Sequence, residues 1–298
     1  MSLRVSILGA AAGGGLPQWN CGCENCQLAR RDEIPSQTQS SISVSNVDDA
    51  VALINASPDL RSQIAASPHL APRGLRVSPI KAVLLTNADI DHIAGLLTLR
   101  EQQPFTLFAT QEIHEILNEN PVFDALNPKF VTRKTVKLDV PFELVAGVTA
   151  SLYAVPGKVP LYLEGDVVET QLEGEQTVGV HITDGSRSAH YIPGCATVTT
   201  DLATRLKDAE LVLFDGTLWQ DDEMVTAGLS QKTGARMGHM SMSGSDGSIA
   251  AFSNLDVRRK VFVHMNNTNP VLRPSSAERA SAEGSGWTIG RDGMEIAL

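Results

Sequence analysis

The 298-residue chain is predicted to fold as an α/β protein. Short apolar runs with strand character alternate along it with segments of helical period. Three of those runs end in an acid, a histidine or a cluster of both: Asp89 to His92, then Asp215, then His264. Open α/β folds place functional groups at the carboxyl ends of strands, so three such endings from distant parts of the chain predict one shared site at one edge of the sheets.

Bulk composition agrees with this class and narrows the partners. Hydrophobic content is 42% and charged content 19%, ordinary values for a globular protein with a large core. The formal charge of −10 argues against nucleic acid or an anionic membrane as partner, while leaving room for a small anionic ligand in a local basic pocket. No run of 18 apolar residues occurs, so no membrane insertion is expected. The first nine residues read as a strand rather than a signal peptide, and the expected location is cytoplasmic. Nothing in the sequence excludes a homodimer. Of the 4 cysteines, Cys21, Cys23 and Cys26 sit too close together for a disulfide framework.

In chain order, residues 3–8 alternate as a half-buried strand. The Ala/Gly loop at 10–15 follows, and it is not succeeded by the helix that a phosphate-binding loop requires. Residues 40–45 and 50–54 form two strands around a turn at 46–49, and a helix is expected over 61–66. A surface linker (72–79) leads to the buried strand 82–85 and to helical turns from His92 to Leu99. A strand at 105–109 precedes a helix over 111–118, whose apolar face excludes His114 and so predicts a solvated His114. Strand-like pattern returns from 131 to 153, and strands at 178–182 and 188–192 flank Asp184-Gly185 as a hairpin, with His181 and His190 as satisfied sheet residues. A capped helix over 201–207, a buried strand ending in Asp215, a helix over 245–255 and an apolar strand ending in His264 come next. The tail is expected to add a short helix and a last hairpin around Asp292-Gly293.

Two stretches carry metal chemistry. In the first, Asn87, Asp89, Asp91 and His92 fall within six residues at a strand-to-helix junction. Alternate positions of an extended loop share a side, and carboxylates converging with an imidazole suit a divalent ion. Helix capping accounts for one of these acids but not for two together with a histidine. In the second, Cys21-x-Cys23-x2-Cys26 offers three thiolates on one tight turn, a set suited to zinc that lacks a fourth ligand. Gly238-His239-x-Ser241 adds a histidine with two readings, acid/base chemistry or support of the next helix. Lys158, in the rigid Pro156–Pro160 loop, and Arg187 could each pair with a substrate carboxylate or simply be solvated; Lys158 is carried forward as the candidate cofactor contact.

Residues 84–96 resemble the H-x-H-x-D-H metal signature of the metallo-β-lactamase superfamily, here written Asn87-x-Asp89-x-Asp91-His92. Asp215 matches the later acid that bridges two metals in that fold, and His264 matches its last histidine ligand. The cysteine loop is similar to the structural zinc loop of phosphodiesterases of the superfamily, where a histidine three residues after the last catalytic one completes the site; Asn267 holds that position here. Including Val155-Pro156-Gly157-Lys158-Val159-Pro160 and Leu213-Phe214-Asp215-Gly216-Thr217, essentially the whole chain is similar to the coenzyme PQQ synthesis protein B family. That resemblance implies a four-layer αβ/βα sandwich in one domain over 1–298, with a zinc loop at about 10–30. It also implies a role in making pyrroloquinoline quinone (PQQ) from the glutamate and tyrosine of a peptide precursor.

The departures from the superfamily signature shape the expected chemistry. Two-metal hydrolysis uses ions roughly 3.5–4 Å apart. The half-site that needs H-x-H has Asn87 and Asp89 instead, while Asp91, His92 and His264 keep the other half, with Asp89 and Asp215 nearby. Two histidines and one carboxylate with open positions are the ligand set of non-haem Fe(II) oxygenases. The expectation is one active-site divalent ion, Fe2+, beside a structural Zn2+ held by Cys21, Cys23, Cys26 and Asn267, with Asp91, His92 and His239 as catalytic residues. The substrate would be a small molecule or short peptide derived from glutamyl-tyrosine, hydroxylated on its tyrosine-derived ring. The competing expectations are a carrier of PQQ or its precursor that assists transport to the periplasm, and a residual metal-dependent hydrolase.

Overall fold

The computed structural model describes residues 2–47 and 50–298. The first seven-stranded sheet contains β1 (Arg4–Gly9), β2 (Ser41–Val47), β3 (Ala50–Ile54), β4 (Ile80–Leu84), β5 (Phe105–Ala109) and β6 (Val131–Thr135). The second contains β7 (Phe142–Val145), β8 (Val148–Ala154), β9 (Val178–Thr183), β10 (Ser188–Ile192), β11 (Val212–Asp215), β12 (Lys260–Val263) and β13 (Trp287–Ile289). The last strand, β14 (Glu295–Ala297), crosses back to the first sheet and pairs with β1.

Both sheets follow one plan. The pairs β14-β1-β2-β3 are antiparallel and β3-β4-β5-β6 parallel; in the second sheet β7-β8-β9-β10 are antiparallel and β10-β11-β12-β13 parallel. Strand β4 in one half therefore corresponds to β11 in the other. The loops after them carry the Asp89 to His92 cluster and Asp215, which is why the two sets meet at one rim of the sandwich.

Period-two burial explains the layers. In β3 and β4, Ala52, Ile54, Ala82 and Leu84 face the second sheet and join a core with Phe214, Phe262 and Trp287. Leu53, Val83 and Leu107 face the other way, onto Leu60, Leu96, Ile113 and Leu117 of the helical layer. On the far side, Leu202, Leu206 and Phe252 cover the second sheet. The result is a sandwich of two mixed sheets with flanking helices, the architecture that the metallo-β-lactamase resemblance implied.

Several local expectations need correction. The tail does not close as a hairpin, because β13 and β14 join different sheets. The loop between them instead aims the Asp292 carboxylate at the backbone N–H groups of Ala10 and Thr38 and at the Thr38 hydroxyl, tying the tail to the loop after β1. His114 is buried: the neighbouring edge strand β6 covers it, and its Nε2 lies 3.1 Å from the Lys134 carbonyl. The helix expected over 245–255 shortens to Ser248–Ala251. The cap of the helix Thr200–Leu206 is Thr199, whose hydroxyl accepts from Leu202 N–H. The turn expected at 46–49 includes Asp48 and Asp49, which lie outside the described residues; the strands it joins pair antiparallel as expected.

Candidate metal centre

The loop after β4 is built before any metal is considered. Asn55, in the left-handed region at φ 64, accepts the Thr86 N–H and donates to the Thr86 hydroxyl, fixing the chain as it leaves the strand. Asn87 then folds its side-chain oxygen back to accept the Asp89 N–H (3.0 Å) and the His92 Nδ1–H (2.7 Å). The short helix Ile90–Ile93 follows, with no side-chain cap bond from Asp89, so capping is not the purpose of that acid. Gly95, in the 3-10 segment Ala94–Leu99 that continues this helix, lets the chain press on the loop after β3: a Cβ there would lie 2.1 Å from the Ser57 carbonyl.

The consequence of the Asn87 bond is chemical. With its proton held on Nδ1, His92 presents the Nε2 lone pair, and that atom is buried with no hydrogen-bond partner. Burial pushes the His92 imidazole down to about 4, which keeps it neutral and able to ligate. It faces Asp91 Oδ2 at 3.8 Å, and His264 Nε2 approaches the same oxygen at 3.2 Å. The ligand atoms of Asp91, His92 and His264 all lie within 4.8 Å of one another. Burial alone would raise the Asp91 carboxyl, but His92 and His264 outweigh it and hold it well below the usual carboxylate range. A buried orphan imidazole nitrogen, an ionised carboxylate and a second imidazole converging on one point fit a divalent ion.

The second sheet supplies the rest. His264 sits just past β12 in the left-handed region, φ 57, a conformation that costs about 1 kcal/mol for a non-glycine residue and recurs where function demands it. Asp215 is fully buried, and its oxygens accept four bonds: from Thr217 N–H and hydroxyl, from Cys195 N–H (2.9 Å) and from His239 Nδ1–H (2.6 Å). Because the Thr217 hydroxyl donates to Asp215, it accepts from His264 Nδ1–H at 2.9 Å. Thr217 and Asp215 thereby hold the Nδ1 protons of His264 and His239 and turn the His264 Nε2 toward Asp91. Asp215, His239 and His264 also form a compact donor set, but every lone pair of the Asp215 carboxylate is already engaged.

Among the sequence-predicted residues, Asp89 stands apart from both donor sets. Its carboxylate accepts weakly from Leu161 N–H at 3.4 Å, and burial and then the charge of Asp91 raise it while Lys158 opposes the rise. Lys158 is not a solvated surface residue: it lines a cavity together with Asp89, Asp91 and His92 and pairs with Glu164 at 2.9 Å. Arg187 lies outside that cavity and pairs with Glu210. Thr217, Asn87 in its supporting role, Glu164, Arg236 and Lys232 were not anticipated. Only Thr217 had a signal, an Asp-x-Thr ending on an apolar strand.

The cysteine loop forms a separate centre. The three sulfurs lie within 4.8 Å of one another, and the Asn267 amide caps them at 3.2, 3.4 and 3.3 Å from Cys21, Cys23 and Cys26. Burial, together with the neighbouring thiols, pushes Cys23 up to about 11, whereas at Cys21 burial is outweighed by hydrogen bonding with Cys23, Cys26 and Asn267, which lowers the thiol. A bound cation would hold all three as thiolates. Asn25 anchors the loop by donating to the Asn267 and Asn269 carbonyls. His264 is engaged with Asp91 and Thr217, not with the cysteines.

The donor sets that share His264 open onto one cavity of about 350 Å³, lined among others by Asn87, Asp91, His92, His239 and His264. Replacing Asn87 with alanine is expected to weaken metal binding there by about 10–100-fold, by releasing the His92 tautomer. A chelator competition titration measures this, and an unchanged affinity would remove Asn87 from the supporting shell.

Residues 52–265 match the family model described as a beta-lactamase superfamily domain. The chain is 55% identical to the coenzyme PQQ synthesis protein B of Ruegeria pomeroyi, over 99% of this chain and 100% of that protein. It is 53% identical to the protein of the same name from Rhizobium meliloti, over 99% and 98%. The crystal structure of Zn2+-bound PqqB from Methylobacterium extorquens superposes with a TM-score of 0.97 at 53% identity, covering 99% of this chain and 100% of that one. A diphosphatase of the PhnP family, at 18% identity and a TM-score of 0.72, shares the fold.

Proposed function

This chain belongs to the coenzyme PQQ synthesis protein B family of the β-lactamase superfamily, and from that premise we propose that it serves PQQ synthesis as a metal-dependent oxygenase. Its substrate in this reading is a small molecule or short peptide derived from glutamate and tyrosine, and the tyrosine-derived ring is hydroxylated. The observation that carries the reading is the Asp91, His92 and His264 set, with the buried, unpartnered His92 Nε2 aimed at the other two ligands.

Bound there, Fe2+ would supply the activation of dioxygen. Asp91, His92 and His264 would hold it, with Asn87 and Thr217 keeping the two imidazoles in their ligating tautomers. His239 keeps its Nδ1 proton on Asp215, so its Nε2 is free to take or return a proton at a substrate hydroxyl. The Asn87 and Asp89 pair, where the superfamily signature has histidines, supports one ion rather than the two of a hydrolase. Among the described residues no helix is long and apolar enough to cross a membrane.

The test is anaerobic loading with Fe2+, followed by oxygen, glutamyl-tyrosine and a two-electron reductant such as ascorbate. One oxygen atom enters the ring and the other leaves as water, so oxygen consumed, reductant oxidised and hydroxylated product formed are expected in equal amounts. Absence of product and of iron-dependent oxygen uptake would sink the oxygenase reading. Tight binding of PQQ without turnover of any precursor would favour a carrier.

A further inference from the structure

We propose that Lys232, with the ion-pair chain Lys158–Glu164–Arg236, forms a carboxylate-recognising rim on this cavity and selects aromatic substrates that carry two or more carboxylates. The inference rests on the cavity being the substrate site. Lys158 and Arg236 each reach the same carboxylate, Glu164, at 2.9 Å. The Glu164 side chain is only 8% exposed; bonding by Arg236, reinforced by Lys158 against the upward push of burial, holds its carboxyl at about 2, so it stays ionised. One carboxylate between two cations leaves one positive charge over. Lys232 lines the cavity too and has no ion-pair partner among the described residues, which brings the excess to two.

This concentration stands out in a chain of net charge −10. Bound anions gain most where cations are partly desolvated and held in place, and Glu164 holds two of the three. The floor of the cavity has the opposite character, with Asp89 and Asp91, while Leu161, Met224 and Met237 line the same space with apolar side chains. A ligand satisfying all three surfaces puts its ring among the apolar side chains, its reactive edge on the floor and its carboxylates on the rim.

Equilibrium binding to the zinc-loaded protein, which avoids turnover, tests this with glutamyl-tyrosine and its bis-amide as probes. The acid is expected to bind at least about tenfold more tightly than the amide, and rising salt is expected to weaken the acid alone. Lys232→Met should weaken the acid about tenfold and leave the amide unmoved, while Lys232→Arg keeps most of the preference. Equal affinity for acid and amide, an acid affinity unchanged by Lys232→Met, or no binding of the acid overturns the rim. If the preference holds but no hydroxylation occurs, the oxygenase reading alone falls; if hydroxylation proceeds without the preference, the rim alone falls.

Discussion

Replacing Asp91 with alanine is expected to remove the active-site ion, keep the cysteine-bound one, and lower oxygen-dependent turnover by about a thousandfold or more. Asp91 faces both His92 and His264, at 3.8 and 3.2 Å. Its loss leaves two neutral donors for a dication, and a supporting contact alone is worth about 10–100-fold in affinity. Asp91→Asn keeps the shape but not the charge, and it is expected to lose the ion while remaining folded. Elemental analysis reads the result directly, as a fall from two metal equivalents to one. Retention of both ions would refute the assignment. So would loss of the ion from His239→Ala but not from Asp91→Ala, because that pattern would move the centre to Asp215, His239 and His264.

How much of this was legible in the sequence depends on the range of the physics involved. Local patterns report burial, so the strands ending at Asp215 and His264 and the cysteine turn were readable from a few residues each. The partner of a polar group is a long-range fact. That His239 bonds Asp215, and that one Thr217 hydroxyl links Asp215 to His264, follow only from the meeting of loops far apart in the chain. His114 shows the same limit: helical period put it off the apolar face, yet a neighbouring strand buries it against a carbonyl. The tail was misread because a turn signal at Asp292-Gly293 fixes a reversal of the chain but not which sheet each arm joins. Lys158 kept two readings, ligand contact or solvation, for a related reason: the Glu164 that holds it is shared with Arg236, which comes from a distant part of the chain.

Replacing Cys23 with alanine is expected to strip the structural ion and to lower stability by about 4 kcal/mol, a drop of roughly 6 °C in melting temperature. The segment from Ala10 to Ser40 has little regular structure beyond the helix Glu24–Arg30, so few backbone ladders hold it. Besides the Asp292 bonds to Ala10 and Thr38, it is held by the capped cysteine set, the two Asn25 bonds to the Asn267 and Asn269 carbonyls, and the reciprocal backbone bonds between residues 10–12 and Met265. The last three end on the stretch that begins at His264, so the cysteine centre braces the strained residue proposed to ligate the active-site ion. Activity is therefore expected to fall in Cys23→Ala even though no cysteine lines the cavity. Asn267→Ala should give a milder version, because three sulfurs remain to hold the ion. Thermal unfolding with and without added zinc, alongside metal analysis, measures both effects. A melting temperature insensitive to Cys23→Ala and to zinc would show that the loop is held by its hydrogen bonds alone.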